Sequence, residues 1–267
     1  MQCYSFNLGS LKCVFTTKAA GSFTFARAER EEVLATYRRL EQATGISPET
    51  IARVHLDNGV RVVRAGEKDA GRGVVEPIGD FLNADALYTN VPGLHLGITT
   101  ADCFPLVLHD PVHEAVGLAH CGWRGIVGRI EEKLLQAMAR DFGTATEDVV
   151  AVIGPGIRAC CYQQQDDGLK EAFAGYHDLD LVRESACGTY TIDIALALRA
   201  NLAALGVSKI IDTKICTGCN PEFFSARKEG FTTGRSLALA ALAAAAGTYP
   251  SAAISVLITR RKEASVR

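Results

Sequence analysis

The stretch Thr99–Gly125, TTADCFPLVLHDPVHEAVGLAHCGWRG, holds two short, largely apolar runs, FPLVLHD and EAVGLAH, joined by a polar turn. Runs of this length and composition suit strands buried on both faces. Paired side by side, they bring the start of the first and the end of the second to one side of a sheet. Cys103 stands at that start and His120 at that end, flanked by Asp102, Cys121 and Arg124. Strand ends are where α/β proteins commonly place their chemistry.

Outward from this pair, helical and strand patterns alternate along the chain. Residues 28–45 carry Val33, Leu34, Tyr37 and Leu40 at helical spacing, with Gly45 as C-cap. The GIVGRIEEKLLQAMARDFG segment places Ile130, Leu134, Leu135 and Met138 on one helical side. Strands are predicted for YSFNLGSLKCVFTTK around a Gly9-Ser10 turn, and for ALYT, LHLGITT, DVVAVIG and KIIDTKIC. The IARVHLDNGVRVVRAG segment reads as two strands about Asp57-Asn58-Gly59, a hairpin signal. Asp193 is a candidate N-cap for a helix over IALALRANLAALG. The Ala-rich SLALAALAAAAG predicts a final packed helix ending at Gly247, with Pro250 beyond. No Pro-, Gly- or Ser-rich linker divides the chain, so one α/β domain over residues 1–267 is expected.

Composition narrows the function. The 267 residues are 48% apolar and 22% charged, with a formal charge of −2, an ordinary globular balance. No basic stripe interleaved with aromatics points to nucleic acid. No apolar segment reaches membrane-spanning length, and the N-terminus lacks a signal-peptide pattern, so a cytoplasmic protein is expected. Nine cysteines, an odd number, then favour reduced thiols over a disulfide framework.

Three chemistries are open to Cys103 and His120. A Cys103 thiolate with His120 as base, oriented by Asp102, is a cysteine-hydrolase arrangement. With His55, which precedes the Asp57–Gly59 turn, they form a thiolate and two imidazoles, a set that suits zinc with an open fourth position. Such ligands also bind copper. On spacing alone, simple packing is the default for all three. Cys216 and Cys219 form a single CxxC, which reads as structural. Cys160 and Cys161 are adjacent and point apart on an extended backbone, which reads as packing. Arg124, Arg227 and Arg235 sit in turns, where a guanidinium can take phosphate or carboxylate bidentately. No GxGxxG, P-loop or GxSxG fingerprint is present.

In order, FTT, RVH, ADALYTN, TADCFPLVL, AHCGWRG, IGPGIRACCY and CTGCNPEFFSARKEGFTTGR resemble the signature blocks of the YfiH family. That family is also called the laccase-domain or multicopper polyphenol oxidase family, and is of purine nucleoside phosphorylase type. The resemblance runs from about Phe15 to about Leu242, and its most specific part is Thr-Ala-Asp-Cys followed by His-x-Gly-Trp-Arg-Gly. It implies a YfiH-like α/β sandwich with mixed sheets, comparable to cysteine hydrolases. It implies a zinc site at His55, Cys103 and His120, with Cys103 also the candidate catalytic residue. The implied activities are phosphorolysis of adenosine, inosine, guanosine and methylthioadenosine, and deamination of adenosine, so the partners are nucleoside and phosphate. Arg227 and Lys18 are the candidate phosphate holders. The family also includes copper oxidase assignments and a peptidoglycan-precursor amidase; a non-catalytic metal-binding protein is a further alternative. The chain departs from the family in Arg53-Val54-His55-Leu56, where Gln-Val-His-Gly is usual. Lys18 replaces the arginine of FTTR, in a segment that would help form the substrate rim.

Overall fold

The computed structural model describes residues 2–26, 28–165, 167–185, 188–244 and 253–258. Two six-stranded mixed sheets face each other. The first runs, in spatial order, Ala253–Ile258 (β15), Gln2–Leu8 (β1), Leu11–Thr16 (β2), Ser236–Leu242 (β14), His95–Thr100 (β6) and Ile51–Arg53 (β3). The second runs Lys209–Asp212 (β13), Val150–Ile153 (β9), Phe104–Asp110 (β7), Ala115–Cys121 (β8), Ala86–Thr89 (β5) and Val62–Arg64 (β4). A small sheet of Gln163–Gln164 (β10), Tyr190–Ile192 (β12) and Val182–Glu184 (β11) stands apart. The helices are Arg30–Thr44 (α1), Trp123–Val127 (α2), Ile130–Phe142 (α3), Gly168–Ala172 (α4), Ile194–Ala204 (α5) and Ala226–Glu229 (α6).

The alternation of side chains along each strand builds the layers. Leu11, Cys13 and Phe15 of β2 meet Val107 of β7 and Val116 and Leu118 of β8 in a core between the two large sheets. The opposite faces of the same strands are also apolar. Val14, Leu237 and Leu239 pack under Val33, Tyr37 and Leu40 of α1. Phe104, Leu106, Ala115 and Ala119 pack against Ile130, Leu134 and Met138 of α3 and against α5. The expected α/β sandwich is therefore observed, as helix, sheet, sheet and helix layers. The helices meet their signals: Gly45 closes α1 in the left-handed conformation, and Asp193 caps α5 through Leu196 N–H at 3.0 Å.

Two expectations are corrected. SLALAAL is strand β14, hydrogen-bonded between β2 and β6. Its residues are buried on both faces, so tertiary packing overrides the helix propensity of alanine. The predicted helix end at Gly247 and Pro250 lies outside the described residues. The Asp57–Gly59 turn does not close a hairpin either. β3 joins β6 in the first sheet while β4 joins β5 in the second, so the segment crosses between layers.

Candidate active site at the Cys103 and His120 strand ends

β7 and β8 are antiparallel, with Pro105 opposite His120 and Phe104 opposite Cys121, so Cys103 and His120 emerge at one rim. Both line a cleft of about 480 Å³ together with His55, Arg53, Asn58, Thr99, Phe25, Phe231 and Arg235. The Cys103 thiol and the His120 ring are neighbours, both within 4 Å of the point where a Gly122 Cβ would stand. Gly122 makes room for this pair: a methyl group there would stand 3.1 Å from Cys103 Sγ.

A fully buried carboxylate, Asp85, orders the other side of His120. Its Oδ1 lies 3.0 Å from His120 Nδ1, which commits that nitrogen and leaves Nε2 to the other side of the ring. The same carboxylate accepts N–H groups from Asn58 at 3.1 Å and Gly59 at 2.8 Å, pinning the turn that follows His55. Burial opposes ionisation of Asp85, but the His120 ring, Asp57 and the Gly59 N–H outweigh it and hold the carboxyl down at about 2. Burial likewise disfavours the His120 imidazolium, and Cys103 and Asp85 overcome it, raising His120 to about 10.

Asp102, expected to orient His120, does different work. It adopts φ 89°, in the left-handed region that is costly for a non-glycine residue. Three bonds hold it there. Thr217 Oγ1 and Arg227 N–H donate to its carboxylate, each at 2.7 Å, and Ile157 N–H donates to its carbonyl, also at 2.7 Å. The strained residue thus aims Cys103 from behind. Asp85, the residue that does orient His120, is the aspartate of ADALYTN just before β5.

The remaining predicted residues fall into two groups. His55 is exposed on the cleft lining, with its backbone N–H bonded to Phe81 O at 3.1 Å. Lys18 is ion-paired with Glu229, and Arg227 donates to Gln163 O while stacking 4.9 Å from the Tyr162 ring. The structure places neither on the cleft lining, where Arg53 and Arg235 stand instead. Arg53 is buried, 5.3 Å from the Phe25 ring. Arg124 stacks on Trp123.

As a donor set, His55, Cys103 and His120 suit a borderline metal such as zinc. The Asp85–His120 contact is the outer carboxylate that metal-bound imidazoles usually have. These three are not gathered as closely as another set. Among the described residues, the thiols of Cys160, Cys161, Cys216 and Cys219 lie within 4.8 Å of one another and could hold a metal ion. Cys160 and Cys219 are exposed, so the packing expected of the Cys160-Cys161 pair is not what the fold makes of it. No described helix is long and apolar enough to cross a membrane.

The family model described as multi-copper polyphenol oxidoreductase laccase matches residues 20–243. The chain belongs to this family. Within the laccase-domain family it is 35% identical, over 205 residues, to a protein of Deinococcus radiodurans named purine nucleoside phosphorylase, a match covering 76% of this chain and 75% of that one. It is 33% identical over 202 residues to adenosine deaminase RL5 of an unknown prokaryotic organism, covering 73% and 76% of the two chains. The solved structure of YlmD from Geobacillus stearothermophilus superimposes with a TM-score of 0.82 at 29% identity, covering 88% of this chain and 93% of that one. The laccase-domain fold is thus shared by sequence and by shape.

Proposed function

We propose that this laccase-domain chain is a purine nucleoside enzyme that works in the cleft at Cys103 and His120. Its reactions are phosphorolysis of adenosine, inosine, guanosine and methylthioadenosine, and deamination of adenosine. The observation that carries the reading is Cys103 beside an Asp85-bonded His120 at a cleft rimmed by two arginines and two aromatic rings. The names of the relatives supply the substrate class.

Each group has a task that follows from its surroundings. Arg53 and Arg235, both on the lining, present guanidinium donors to an anion such as phosphate. Arg227 directly follows the lining residue Ala226 and would reinforce that charge, as would Lys18 once released from Glu229. Phe231, 80% exposed at the lining, offers a flat apolar face to a purine base. His120, its Nδ1 committed to Asp85, can hold or give a proton only through Nε2. His55, Cys103 and His120 would hold zinc, which when bound lowers the pKa of water and polarises oxygen. Copper suits the same donors, and elemental analysis of the purified chain distinguishes the two.

Adenosine incubated with and without phosphate separates the two reactions. Adenine with ribose 1-phosphate reports phosphorolysis, and inosine without phosphate dependence reports deamination. Absence of turnover with the full nucleoside panel and stoichiometric metal would overturn the reading. A second reading, a cysteine amidohydrolase, is favoured by the fact that Cys103 already neighbours the Asp85-bonded His120 while His55 stands exposed. Under it, activity survives chelation and His55→Ala but not Cys103→Ser.

A further inference from the structure

The four gathered thiols come from two segments that are distant in sequence. Cys160 and Cys161 follow the IGPGIR segment after β9, and Cys216 and Cys219 form CTGC after β13. The chain at Cys160-Cys161 is not extended. Cys161 N–H and Tyr162 N–H both donate to Arg158 O at 2.9 Å, and this turn brings two neighbouring thiols to one side. Cys219 Sγ lies 3.3 Å from Cys160 Sγ and 3.1 Å from Cys161 Sγ, and all four sulfurs fall within 4.8 Å. In a tetrahedral cage with Zn–S near 2.3 Å, sulfurs stand about 3.8 Å apart, inside that spread.

The loop itself is shaped for the cluster. Cys216 Sγ accepts the N–H of Arg158 at 3.4 Å, which fixes this sulfur against the segment that carries Cys160 and Cys161. Gly218 permits the approach of the two segments, since a Cβ there would sit 2.6 Å from Cys161 Cβ. Cys160 and Cys219 are exposed, which gives an ion a path in.

We propose that Cys160, Cys161, Cys216 and Cys219 bind one zinc ion in a closed, structural site separate from the catalytic cleft. Four thiolates fill the tetrahedron and leave no position for substrate. The ion ties the segment after β9 to the segment after β13, adding to a link made by bonds such as Thr217 N–H to Gly156 O at 3.1 Å and Gly156 N–H to Ile215 O at 3.2 Å. Thr217, inside the CxxC, is the residue whose hydroxyl bonds Asp102 next to Cys103. The knot therefore supports the backbone that aims the cleft thiol.

The site is tested on the full chain with the cleft donors removed, as Cys103→Ala with His120→Ala, purified without chelator. Elemental analysis is expected to find one zinc per chain, and adding Cys216→Ser with Cys219→Ser is expected to abolish it. X-ray absorption on the cleft variant is expected to give a four-sulfur shell. Because serine variants can fail to fold, the wild-type chain is also titrated with an organomercurial, which should release zinc and lower the melting temperature. Substoichiometric zinc in the cleft variant, iron in its place, a shell with nitrogen or oxygen, or a disulfide among these cysteines would each overturn the proposal. None of these readouts depends on nucleoside turnover, so the proposed function stands or falls separately.

Discussion

Replacing Asp85 by asparagine tests how His120 is used. The carboxylate takes two backbone N–H groups and the Nδ1 of His120, at 2.8 to 3.1 Å, with no exposure to solvent. An amide keeps one acceptor oxygen and turns an NH2 group towards donors that have nothing to accept it. Charged hydrogen bonds are worth about 1.5–3 kcal/mol each, so Asp85→Asn is expected to cost about 2–4 kcal/mol of stability. The catalytic loss separates the two roles of His120. If the ring is a metal ligand, metal affinity falls about 10–100-fold, and excess zinc restores turnover. If it is the base for Cys103, the tautomer is lost, turnover falls by up to about 10⁴-fold, and zinc restores nothing. Turnover with and without added zinc, beside urea unfolding, reads both. An Asp85→Asn protein with wild-type stability, metal content and turnover would refute the role given to this carboxylate.

Three further outcomes follow from buried groups. Glu131 is fully buried on α3, and burial raises its carboxyl from 4.5 to about 7, only partly offset by its helix N–H groups and Arg129. The unfolded chain therefore ionises first, and stability falls as pH rises from 4.5 to 7, by up to about 3 kcal/mol. Glu131→Gln is expected to gain about 1–3 kcal/mol at pH 8 and almost nothing at about pH 4.5, read by urea unfolding at each pH. Thr217→Val removes one of the bonds holding Asp102; it should cost about 1–3 kcal/mol and change the rate at which iodoacetamide alkylates Cys103. Leu118→Ala opens a cavity between the sheets for about 2–5 kcal/mol, and alkylation of native Cys103 should keep its wild-type rate.

The sequence made the central strands and α1, α3 and α5 legible because their burial is set by local period and by caps such as Gly45 and Asp193. It misread β14, because a strand buried on both faces by small side chains has the composition of a helix. It also misread the Asp57–Gly59 turn. A hairpin is a local signal, whereas this turn is held by Asp85, which sits far along the chain. Among site residues, Cys103, His120 and His55 were marked by residue type and by family blocks. Asp85 was not, since nothing local relates an aspartate before one strand to a histidine at the end of another. The four thiols were hidden for the same reason: an adjacent pair and a lone CxxC carry no mutual signal until β9 and β13 lie side by side.

Two buried aspartates divide the labour around the cleft. Asp85 joins the loop after His55 to His120, and Asp102 joins the CxxC loop and the start of α6 to Cys103. Each spends its acceptors on backbone or side-chain donors from a distant segment, so neither Cys103 nor His120 relies on its own loop for aim. The sandwich beneath them, filled by Val107, Val116 and Leu118, fixes the β7–β8 register that sets their spacing. The rim is built differently. Phe231 is largely exposed, and Phe25 of a loop packs against Arg53 at the end of β3. Arg53 lines the cleft without touching the bonds that hold Asp85 and Asp102, so its exchange would bear on what the rim accepts and leave the Cys103 and His120 geometry in place.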